Sequence, residues 1–195
     1  MLTAAAAAQV VTRVGPAAAA EGSPEELTAL SLTEIAARIR SGSVTSTQVT
    51  QACLARIATY GPKLDAFITV MKANALAQAE QLDAERKAGK LRGPLHGVPV
   101  ALKDNIDTAG TRTTAASALF EDRVPGADAP VVTRLKDAGA VIIGKTNLHE
   151  FAMGYGETSY WGPARNPWNL AHNTGGSSSG SGAAIAAGLA YGALG

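Results

Sequence analysis

Asn173-Thr174-Gly175-Gly176-Ser177-Ser178-Ser179-Gly180-Ser181-Gly182 runs directly into Ala183-Ala184-Ile185-Ala186-Ala187-Gly188, and this junction decides how the chain is read. Ten residues hold four glycines and four serines, and the composition then turns to small apolar side chains. Glycine permits tight backbone approach and positive φ. Serine adds short hydroxyls that cap helices or enter hydrogen-bond relays. A Gly/Ser linker would lead to a domain boundary. This one leads into an alanine-rich helix that reads as buried, so the pattern is that of a donor-rich loop at a helix N-terminus, suited to fixing a polar reacting group.

Upstream, helices and strands alternate. Ser31-Leu32-Thr33-Glu34 is a capping box that opens a helix through about Arg40, with Gly42 as its stop. A second helix is expected from Ser46 to Tyr60, with Val49, Ala52, Cys53 and Ile57 on one face and Gly61-Pro62 as its end. Phe67–Val70 reads as a short strand. Asn74 to Ala88 reads as a third helix, whose Glu80, Asp83, Glu85, Arg86 and Lys87 form a solvated face. Val98–Leu102 is a strand that delivers Lys103-Asp104-Asn105. Ala129–Ala138 is a helix with Val131, Val132 and Leu135 inward, and Ala140–Ile143 a buried strand. The class is therefore α/β, a mixed sheet covered by helices.

With 195 residues, 46% of them hydrophobic and 17% charged, the chain can bury a sizeable core. A net charge of +1 and a pI near 7.9 leave no footprint for nucleic acid or an anionic membrane. No run reaches the ~18 apolar residues of a membrane span. Residues 1–24 read as an alanine-rich flexible extension, with residues 25–195 as the folded part. Arg13 follows the apolar run of that extension, the reverse of a secretory signal. A cytoplasmic location is expected, with secretion through this segment left open. Cys53 is the lone cysteine and reads as a core residue. His96, His149 and His172 lack metal-ligand spacing, so neither metal nor cofactor is expected.

Two lysines need separate readings. Gly139-Ala140-Val141-Ile142-Ile143-Gly144-Lys145-Thr146 fits the P-loop pattern letter by letter. Its middle is Ala-Val-Ile-Ile, which favours an extended strand and forms no phosphate cradle. Lys103 is the more informative. It ends an apolar strand, so its stem starts inside the fold. As a surface cation it would simply be paired. As a base near neutrality it needs a pKa shift of ~3 units, roughly 4 kcal/mol, which burial among neutral hydroxyls can supply. The serine loop offers those hydroxyls.

Gly97-Val98-Pro99-Val100-Ala101-Leu102-Lys103-Asp104-Asn105 and Gly175-Gly176-Ser177-Ser178-Ser179-Gly180-Ser181-Gly182-Ala183 together resemble the amidase signature family. Gly144 to Gly154 and Asn166-Pro167-Trp168 are similar to its connecting segment. The resemblance covers about Leu32 to Gly195. It implies a serine hydrolase with a Ser–cis-Ser–Lys triad acting on small-molecule carboxamides. Lys103 matches the catalytic lysine and Ser177 the cis-serine, with Gly175 and Gly176 making room for the bend. Met153, Gly154 and Tyr155 would line the acyl pocket, Met153 having core packing as its other reading. Asp104 and Asn105 would organise the turn beside Lys103. Ser178, Ser179 and Ser181 would cap or network, Ser178 being the one nearest in influence to Lys103.

The family's nucleophilic serine lies in a turn expected just beyond Gly195, together with the oxyanion-hole amides. The chain thus reads as the N-terminal portion of an amidase, carrying base and relay serine and inactive alone. A homodimer is possible in the full-length parent. A stand-alone amidase is favoured here over the A subunit of the tRNA-dependent amidotransferase. His149 stands where that subunit more usually has an acidic residue, and Tyr155-Gly156 replaces its serine pair. A non-catalytic binding remnant is the alternative from another class.

Overall fold

A computed structural model describes residues 22–153 and 158–195. The expected extension therefore falls largely outside the described residues, as do Gly154 and Tyr155. The described chain enters a short helix, α1 (Pro24–Thr28), whose N-cap Ser23 forms a capping box with Glu26. α2 (Leu32–Ser41) follows from the capping box of Ser31 and Glu34, and ends at Gly42 with φ 82°.

α3 (Ser46–Leu64) departs from expectation. Gly61-Pro62 does not stop it; the helix ends at Asp65 in the left-handed region. Gly61 has no Cβ to collide with the proline ring, which is what usually turns a pre-proline residue out of the helix. Asp65 N–H still reaches Gly61 O at 3.0 Å.

β1 (Phe67–Val70) leads to α4 (Lys72–Lys87), and β2 (Pro99–Lys103) follows. One residue on α4's polar face is not solvated. Asp83 is buried and accepts hydrogen bonds from Ser46 N–H at 2.7 Å, Thr47 N–H at 3.0 Å and the Thr47 hydroxyl at 2.7 Å. It caps α3 from a neighbouring helix, so its charge sits at the positive end of the α3 dipole.

α5 (Pro130–Asp137) precedes β3 (Val141–Thr146), a fully buried strand that includes Gly144 and Lys145. A two-stranded hairpin of β4 (Arg165–Asn166) and β5 (Asn169–Asn173) leads to α6 (Ser179–Ala186) and β6 (Gly192–Leu194). The main sheet has the order β1-β3-β2-β6, with β1 antiparallel and the other neighbours parallel.

Helices cover both faces. Cys53, Ile57, Ala79, Leu82, Ala183 and Leu189 pack with Ala101, Val141 and Ile143, which places α3, α4 and α6 on one side. Val132 of α5 packs with Val100, Leu102 and Ile142 on the other. The β2–β3 register shifts between Val100, opposite Ile142, and Ala101, opposite Gly144. Such a bulge re-phases the strand. Beyond it, Thr146 shares the α6 side with Lys103, and Lys145 points with Leu102 to the α5 side. Among the described residues no helix is long and apolar enough to cross a membrane.

Candidate active site

Three parallel strands, β2, β3 and β6, end at one edge of the sheet, where α6 begins. In parallel α/β sheets the carboxyl ends of strands are where ligands bind. Lys103 is the last residue of β2, and its side chain is 5% exposed. Its Nζ lies 2.8 Å from Ser177 Oγ and 2.8 Å from Ser178 Oγ. As an ammonium it donates to both. As a neutral amine it donates to Ser178 and offers its lone pair to the Ser177 hydroxyl. Burial holds its pKa below the ordinary lysine value. The N-terminus of α6, which starts just after Ser178, adds partial positive charge on the same side.

The serine loop is held by tertiary contacts. The Gly176–Ser177 peptide is cis. Ser177 O accepts from His149 N–H at 2.9 Å, and Gly180 N–H donates to Asn147 O at 2.9 Å. The imidazole of His149 lies against Gly176, where an added Cβ would come within 2.8 Å of Nδ1. Thr146 Oγ1 at the end of β3 and Ser181 Oγ in the first turn of α6 are 2.8 Å apart, so β3 also reaches the helix that the loop opens. Ser178 makes no side-chain cap bond, because its hydroxyl is turned to Lys103.

Other residues singled out in the sequence fall around this centre in different ways. Asp104 is fully buried and accepts from the Thr114 N–H and hydroxyl, at 2.9 and 2.5 Å. Its carbonyl accepts from Ala115 N–H at 2.9 Å, so it organises the turn after Lys103. Asn105 is exposed. Met153 is 74% exposed and is therefore not a core residue. Cys53 is buried, and desolvation pushes its thiol up to about 12.

The sequence reading passed over Lys145. Set aside with the false P-loop, it is fully buried and lies 3.5 Å from Asp104 Oδ1. It donates to Ile106 O at 2.8 Å and to Thr113 Oγ1 at 2.6 Å. The signal that could have found it was a charged residue inside an otherwise apolar strand, which requires a buried partner. Among the described residues no group of three or more His, Cys, Asp or Glu is placed to hold a metal.

A family model described as Amidase matches residues 48–195. The chain belongs to the amidase family. It is 48% identical over 171 residues to the A subunit of the glutamyl-tRNA(Gln) amidotransferase from Carboxydothermus hydrogenoformans, and 51% identical over 171 residues to its counterpart from Geobacter metallireducens. Both alignments cover 87% of this chain and 35% of the relative, so the chain spans about a third of the length of the curated relatives it matches. Among solved structures it is similar to the peptide amidase of Stenotrophomonas maltophilia, with a TM-score of 0.77 and 45% identity. That superposition covers 82% of this chain and 34% of that one. The mixed sheet with helices on both faces is thus part of an amidase-family fold.

Proposed function

We propose that this amidase-family chain supplies the base and the relay serine of an amide-hydrolysing site, and that the nucleophilic serine comes from chain following Gly195 in a longer protein. The observation that carries this is the 2.8 Å approach of the buried Lys103 amine to Ser177 Oγ. β6 supports the second half. It runs parallel to β2 with Leu194 opposite Leu102, and a Cβ on Gly195 would lie 2.7 Å from Ser178 Oγ. Whatever follows Gly195 emerges beside the hydroxyls.

In this reading neutral Lys103 takes the Ser177 proton while Ser177 takes that of the attacking serine, whose oxygen bonds to the amide carbon. The proton returns by the same path to the leaving nitrogen as the C–N bond breaks. Water then repeats the sequence on the acyl ester. Lys103 and Ser177 act directly, Ser178 and Asp104 support them, and Met153, with Gly154 and Tyr155, borders the substrate. Lys103→Ala and Ser177→Ala in the full-length enzyme are each expected to lower amide turnover by about 10²–10⁴-fold with the fold intact. Near-wild-type rates in both would end the relay reading.

For the substrate, the comparisons favour an amidotransferase A subunit, since the relatives of that name match at about half identity. This reverses the order drawn from His149 and Tyr155-Gly156. Glutamine hydrolysis and co-purification with partner subunits are the expected results. The 45% identity to a peptide amidase supports the stand-alone reading as second. Hydrolysis of peptide amides by the protein alone would establish it.

A further inference from the structure

Lys103 and Lys145 stand on adjacent strands and face opposite sides of the sheet. Between them in the chain is Asp104, which follows Lys103 directly and turns to the Lys145 side, where the two charges lie 3.5 Å apart with neither side chain exposed. A buried ion pair is weak evidence for stability, because apolar residues of similar volume often serve as well. Removing one member alone is different, since it leaves an unbalanced charge in a low-dielectric interior.

We propose that Lys145 is a positioning residue for Lys103: it balances the buried Asp104 carboxylate next to that lysine and so lets the Lys103 amine remain uncharged. The inference rests on the reading of Lys103 as the base. Without Lys145, the Asp104 anion would favour the ammonium form of Lys103 through the sheet. Without Asp104, the Lys145 cation would disfavour it.

The surrounding charges leave this balance to the pair. Asp107 and Arg123 are the further charges acting on Lys145, and they neutralise each other through bonds of 2.7 and 2.8 Å. On the α6 side Lys103 meets the hydroxyls of Ser177 and Ser178, and the imidazole of His149 lies against the same loop at Gly176. Burial lowers Lys145 to about 8 despite its carboxylate, and raises Asp104 despite its lysine. The same pair also fixes the turn: Lys145 holds Ile106 O and Thr113 while Asp104 holds Thr114.

The test is the titration midpoint of Lys103 in the full-length enzyme, followed by NMR of ¹³C-labelled lysine, with the signal assigned by its loss in Lys103→Met. Asp104→Asn is expected to lower the midpoint and Lys145→Met to raise it. Each shift should be roughly one pH unit, as for unit charges ~10 Å apart at an effective dielectric near 20. The acid limb of kcat/KM should move in the same directions. A purely structural role would loosen the turn in both variants and move both midpoints the same way. Shifts of like sign, or none, would overturn the proposal. If Lys145→Met fails to fold, Asp104→Asn decides: an unchanged or raised Lys103 midpoint would refute. The midpoints do not depend on turnover. Opposite shifts together with normal activity of Lys103→Ala would sink the relay reading and leave the charge balance standing.

Discussion

Gly180→Ala is the most searching perturbation of the way the serine loop is held. Gly180 lies in the first turn of α6, and a Cβ there would be 2.7 Å from Asn147 O and nearer still to Asn147 N and Ala66 O. All three are backbone atoms, so no rotamer change relieves the contact. Ordinary packing separates such atoms by ~3.5–4.0 Å, so the start of α6 must retreat by about 1 Å. Overpacking of this kind costs about 1–3 kcal/mol, and more where backbone meets backbone. The same retreat would stretch the 2.8 Å contact of Lys103 and Ser177 beyond hydrogen-bonding range. A misplacement of ~1 Å is worth about 10²-fold in rate. Gly182→Ala is the control, two residues on in the same helix, with nothing within 4 Å of its added Cβ. It is expected to be neutral or to stabilise by about 0.5–1 kcal/mol through helix propensity. Denaturant unfolding and amide turnover of the two full-length variants provide the assay. Wild-type stability and rate in Gly180→Ala, or equal damage in Gly182→Ala, would refute the reasoning.

Cys53 is expected to resist thiol reagents at pH 8 in the folded protein and to react fully in denaturant, as absorbance with a disulfide reagent would show; prompt labelling of the native state would contradict its burial. Its raised pKa also has a stability consequence: the contribution is complete below the unfolded thiol's ~8.5 and is lost as pH rises towards about 12, so alkaline unfolding should weaken in Cys53→Ala. Asp83→Asn should destabilise by about 2 kcal/mol in urea unfolding, because its amide presents N–H groups to donors that now share a carboxylate. A change below about 0.5 kcal/mol would show that α3 does not depend on this cap.

The local signals in the chain were sufficient for many of its elements, though not for the end of α3 or for β4, β5 and β6. Ser31, Glu34 and Gly42 mark a helix because capping bonds connect residues three or four apart. The false P-loop reads as a strand for an equally local reason, the preference of Val141-Ile142-Ile143 for extended backbone. The residue types suggested that Lys103, emerging from a buried strand, would meet the hydroxyls of the serine loop, and the structure places its amine 2.8 Å from Ser177 Oγ and Ser178 Oγ. What tertiary structure alone decided lies at long separation. Asp83 is buried because Ser46 and Thr47, more than thirty residues away, need an acceptor. Lys145 faces Asp104 because a bulge in β3 reverses the side to which simple alternation would assign it. Periodicity records which side chains share a face, but not where the phase slips, and burial of a charge depends on a partner that only the folded chain brings within reach.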